Sequence, residues 1–101
     1  MMYKKITHEE ANKLIESKDV LVLDVRTEEE YITGHIKDAI LIPLDELSSN
    51  LSKLKDKEKM ILVYCKSGRR SKMACEILEF AGYTNVIDIG GVVGWKYGLE
   101  M

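Results

Sequence analysis

Three short apolar runs, Val20–Leu23, Ala39–Ile42 and Met60–Tyr64, and a fourth stretch, Val86–Ile89, interrupted by Asp88, punctuate this chain, and patterns of helical period fill the gaps between them. An unbroken apolar run of this length suits a strand buried on both faces, as in parallel sheets covered by helices. Tyr3 to Ile6 supplies a candidate edge strand. Thr7-His8-Glu9-Glu10 has capping-box spacing, with Thr7 as N-cap, and Ala11, Leu14 and Ile15 then form one apolar helix face. Thr27-Glu28-Glu29-Glu30 repeats that spacing, and Gly34 ends the short helix as a residue free to adopt positive φ. Pro43 stops the run Ala39–Ile42, and Leu44, Leu47, Leu51 and Leu54 follow at helical spacing. Ala74, Ile77, Leu78 and Ala81 make a further helical stripe, closed by Gly82. Gly90-Gly91 turns the chain toward a short last helix containing Trp95, whose indole is assigned to core packing. The alternation predicts an α/β fold in three layers, a mainly parallel five-stranded sheet with helices on both faces.

At 101 residues the chain is expected to be one domain, spanning 1–101. An apolar fraction of 46% and a net charge of −2 exclude a disordered chain and give no electrostatic footprint for nucleic acid. No apolar run approaches the ~20 residues of a membrane span. The opening residues turn polar at once and lack the apolar core of a signal peptide. Two cysteines do not make a disulfide framework, so a reducing, cytoplasmic setting is expected.

The third long run ends in a cysteine, and Cys65-Lys66-Ser67-Gly68-Arg69-Arg70-Ser71 leads into a helical pattern that begins near Ser71. A thiol at a strand tip, facing a helix N-terminus with its unpaired N–H groups, should ionise readily. Lys66, Arg69, Arg70 and Lys72 fall in a stretch without an acid, a local reversal of the chain's overall sign that points to an anion. Ligands of such sheets bind beyond the carboxyl ends of the strands, where Cys65 and Asp24 are both expected. Cys75 lies farther up the helix beside its apolar stripe and is assigned to packing. Arg26 and Glu30 are expected to pair across their turn. His8 is expected to be a solvent-exposed first-turn residue without a role, and His35 a hydrogen-bonded structural group.

The loop resembles the active-site loop of the rhodanese sulfurtransferases. Asp24-Val25-Arg26, Glu30, Gly34-His35-Ile36, Ala39 and Pro43 are similar to the family's first half, and Gly90-Gly91 with Trp95 to its closing motif, so that residues 6 to 99 are covered. The resemblance implies a parallel five-stranded sheet and a reaction in which Cys65 accepts a sulfur atom as a persulfide and passes it to a nucleophile. Cys65 is then the catalytic residue, while Lys66, Ser67, Gly68, Arg69, Arg70 and Ser71 surround the substrate and Asp24 supports them from behind. The expected partners are a small anionic sulfur donor such as thiosulfate and a thiol, cyanide or protein acceptor. No cofactor, metal, nucleic acid or membrane enters this scheme. Many thiosulfate-using members carry Arg directly after the cysteine, whereas Lys66 is a point charge without the guanidinium fork. Arg69 can equally be an exposed cation on the helix start. A delivery or binding module of the same fold, acting on a partner protein, would use the same residues with little small-molecule turnover. A phosphatase or arsenate reductase is disfavoured by spacing, because phosphate-binding cysteine loops need five residues between Cys and Arg and Ser71 stands where that Arg would be.

Overall fold

A computed structural model describes residues 3–101. Five strands, β1 (Lys4–Lys5), β2 (Leu21–Asp24), β3 (Ile40–Leu41), β4 (Ile61–Cys65) and β5 (Val86–Gly91), form one sheet in the order β1-β5-β4-β2-β3. Every pairing is parallel. Three helices, α1 (His8–Ser17), α2 (Glu28–Ile32) and α3 (Arg69–Phe80), connect the strands. Both capping boxes form, with Thr7 and Thr27 each accepting from the N3 backbone and Glu10 and Glu30 each closing the return bond.

The central strand β4 is buried along its whole length, and its side chains alternate between two cores. Ile61, Val63 and Cys65 point into the core under α3, with Leu23, Val25, Leu47, Ala74, Cys75 and Leu78. Leu62 and Tyr64 point to the opposite face, where Ala11 of α1, Val22, Ile36, Ile87 and Ile89 meet them. This double burial is the reason these strands read as continuous apolar runs and not as alternating ones.

Two expected helices take other forms. Residues 44–54 make two 3-10 turns, Leu44–Ser49 and Leu51–Lys53, broken at Asn50. The leucine steps of three at 44–47 and 51–54 are the 3-10 period itself, so the same stripe faces the core on a tighter coil. The segment after β5 forms no helix. Gly94 and Gly98 hold φ values of +88° and +87°, and the N–H groups of Val92 and Val93 bond to the carbonyls of Cys65 and Lys66 instead of to a helix. Trp95 is half-buried against the α1 core, as its assignment to packing requires.

A buried polar network ties the carboxyl end of β2 to β4. Asp24, fully buried, accepts from the Arg26 backbone N–H at 2.8 Å and from Arg26 Nη2 at 2.7 Å, and the Tyr64 hydroxyl donates to it at 2.6 Å. The same hydroxyl accepts from the Ile36 N–H at 3.0 Å, and Arg26 Nη2 also donates to the Gly34 carbonyl at 2.7 Å. Burial, and then the bond to Asp24, push the Tyr64 phenol well above the usual tyrosine range. Arg26 therefore pairs with Asp24, and the Arg26–Glu30 pairing expected from proximity does not occur. Tyr64→Phe would strand the Ile36 donor and remove a donor from Asp24, so a loss of about 2 kcal/mol is expected. Urea unfolding with an unchanged m-value checks it; a loss below ~0.5 kcal/mol would show the network to be dispensable.

Candidate active site

The site is assembled where β4 gives way to α3. Gly68, at φ +103°, lets the chain reverse from strand to helix within three residues, a conformation that L side chains resist. The helix starts at Arg69, two residues ahead of the expected Ser71. Ser71 thereby falls in the first turn, where N–H groups have no intrahelical acceptor. Cys65 Sγ takes two such donors, accepting from the Gly68 N–H at 3.0 Å and the Ser71 N–H at 3.3 Å. The Ser71 hydroxyl donates to the Gly68 carbonyl at 3.1 Å and braces the turn. Converging N–H donors of this kind stabilise negative charge developing on the sulfur. Cys65 itself is 1% exposed, so the loop encloses the thiol and leaves it little open surface.

A second segment backs the loop. Val92 N–H donates to the Cys65 carbonyl at 2.8 Å and Val93 N–H to the Lys66 carbonyl at 3.1 Å. Between them Gly91 lies so close that a Cβ there would collide with the Lys66 carbonyl oxygen and reach 2.5 Å from Ser67 Cα. His8 Nε2 meets the Gly91 carbonyl at 2.8 Å, and its ring packs edge-on against Trp95 at 5.1 Å. Expected to be exposed, His8 is instead half-buried and tied to the strand that supports the loop. Asp88 Oδ1 accepts from the Gly90 N–H at 2.8 Å and holds the turn.

The cations divide into two groups. Lys66 and Arg69 are exposed and have no ion pair among the described residues. Arg70 is engaged from across the sheet edge: its Nη1 and Nη2 donate to Glu30 Oε1 and Oε2 at 2.7 and 2.9 Å, a bidentate fork. This guanidinium, together with the Thr27 bonds, holds the Glu30 carboxyl down at about 2. Asp24 sits behind the loop at the expected sheet edge, with its oxygens already bonded to Arg26 and Tyr64. Cys75 is fully buried among the α3-side residues, and burial pushes its thiol far above the usual range. His35 has the structural bonds expected of it: Nδ1 meets the Tyr31 carbonyl at 3.0 Å, and its ring stacks on Tyr31 at 3.8 Å.

Cys65, Gly68 and Ser71 are thus brought together at the sulfur, with Lys66, Ser67 and Arg69 on the exposed rim. The sequence reading missed the partner of Glu30, the packing demand on Gly91 and the bond of His8. Each joins residues at least 24 positions apart in the chain, which no local spacing encodes.

Fold and loop define a cysteine-loop α/β domain whose thiol faces the head of a helix. The chain belongs to the rhodanese-like domain family, which it matches over residues 7–97. It is 38% identical over 97 residues to the thiosulfate sulfurtransferase GlpE of Coxiella burnetii, covering 95% of this chain and 90% of the relative. It is 42% identical over 71 residues to the thiosulfate sulfurtransferase PspE of Escherichia coli, covering 69% and 68%. Among solved structures, a rhodanese-like domain protein from Staphylococcus aureus superposes with a TM-score of 0.84 at 40% identity, covering 97% of each chain. These relatives make the chain an enzyme of the sulfurtransferase class.

Proposed function

We propose that this chain moves a sulfane sulfur from an anionic donor such as thiosulfate to a nucleophilic acceptor through a persulfide on Cys65. The observation that carries the reading is the pair of backbone N–H groups on Cys65 Sγ, from Gly68 and Ser71. The Cys65 thiolate attacks the outer sulfur of thiosulfate, the new S–S bond forms as the old one breaks, and sulfite leaves with the electron pair. Cyanide or a thiolate then attacks the outer sulfur of the persulfide, and Cys65 departs as a thiolate. The loop amides stabilise the anionic outer sulfur, and the exposed Lys66 and Arg69 draw in the donor. Arg70 completes the loop from its place on Glu30, and Asp24 supports it through Arg26 and Tyr64. Two unpaired thiols suit a reducing compartment such as the cytoplasm.

Thiocyanate formation from thiosulfate and cyanide tests the reading. Saturable turnover is expected, with no hydrolysis of aryl phosphates; the reverse pattern would overturn it. Gly91→Ala is expected to keep a folded chain but push Lys66 and Ser67 outward and lower turnover about tenfold, less than the about a hundredfold that a full ångström of misplacement can cost. Parental turnover in that variant, with parental circular dichroism, would show that the loop tolerates the shift.

A further inference from the structure

The loop sequence advertises more positive charge than the folded site presents, and Glu30 is the cause. It approaches from α2, 40 residues earlier in the chain, and takes both terminal nitrogens of Arg70 at 2.7 and 2.9 Å. Arg70 directly precedes Ser71, whose N–H sits on Cys65 Sγ, and it lies within Coulomb reach of that sulfur. Glu30 does not swing freely, since its Oε1 also accepts from the Thr27 N–H at 2.9 Å and hydroxyl at 3.1 Å. Charge-assisted bonds of this bidentate kind are roughly twice as strong as neutral ones, so a donor anion must compete with Glu30 for Arg70.

We infer that Glu30 is a specificity-determining residue, which masks Arg70 and so tunes the site away from dianionic sulfur donors toward singly charged ones. The inference rests on the persulfide reading above. Lys66 and Arg69 remain free of ion pairs among the described residues and can attract an anion, while Arg70, within Coulomb reach of the sulfur, is already neutralised. Thiosulfate, with two charges, loses most from that masking. An alkanethiosulfonate anion, R–SO2–S⁻, presents the same outer sulfur with one charge and releases a sulfinate in place of sulfite, with the electron pair leaving on the same sulfur atom.

Glu30→Gln isolates the charge, because glutamine also closes a capping box and can still bond Arg70. Since Coulomb energy scales with ligand charge, KM for thiosulfate is expected to fall about fivefold and that for an alkanethiosulfonate about twofold, with kcat nearly unchanged. Arg70→Gln, which leaves Glu30 uncompensated, is expected to raise KM about fivefold for thiosulfate and about twofold for the alkanethiosulfonate, and it carries the test if Glu30→Gln does not fold. Equal factors for the two donors, or no change, would overturn the inference and leave the pair as a staple between α2 and α3. The intact mass of the parent after each donor separates the two levels. A parent that takes no sulfur from either sinks the persulfide reading and this inference together, whereas a parent that takes it while the variants treat both donors alike sinks this inference alone.

Discussion

Cys65→Ser is expected to abolish sulfur transfer while leaving a folded protein. Serine lacks a nucleophile able to hold a sulfane sulfur at neutral pH, and no other residue can replace it: Cys75 is fully buried and its thiol is kept protonated by that burial. The cost to stability is small even though Cys65 lies inside the core and not merely at a strand end, because a serine hydroxyl can accept the same two N–H bonds. A change of about 1 kcal/mol or less is expected. Cys75→Ala should retain most activity. A folded Cys75→Ala variant without activity would mean that two thiols share the chemistry.

The second large effect comes from loop length. One residue inserted between Gly68 and Arg69 gives the five-residue spacing of phosphate-binding cysteine loops. Gly68 would keep its bond to Cys65 Sγ, but Ser71 would move one position along α3 and its N–H, now at 3.3 Å, would leave the sulfur. Losing one donor from such a hole costs on the order of 3 kcal/mol, so sulfur transfer should fall at least about a hundredfold. The enlarged loop should bind phosphate or arsenate better than the parent does. Steady-state thiocyanate assays with oxyanion titrations check both halves. An expanded loop that transferred sulfur at the parental rate would remove loop size from the account of specificity.

The central strands were readable from the sequence because β2 and β4 are buried on both sides, and apolar runs such as Leu62-Val63-Tyr64 have no polar reading that competes. The helix starts at Thr7 and Thr27 were readable because a capping box is entirely local. The coil of residues 44–54 was not, since a leucine every third or fourth position serves an α-helix and a 3-10 turn alike. The tail after Gly91 was misread as a helix because its backbone donors are spent on Cys65 and Lys66, contacts made only once β5 lies beside β4. At the site, the cysteine and its glycine turn stand together in the chain and were legible. The acid that quenches Arg70 arrives from another helix, and the pairing of Arg26 with Asp24 frees Glu30 to reach it.

The measurement that bears most directly on the account is the intact mass of the protein after brief exposure to thiosulfate. A gain of one sulfur atom is expected, removed by cyanide and absent in Cys65→Ser. No gain, or a gain that persists in Cys65→Ser, would contradict a persulfide carried on Cys65.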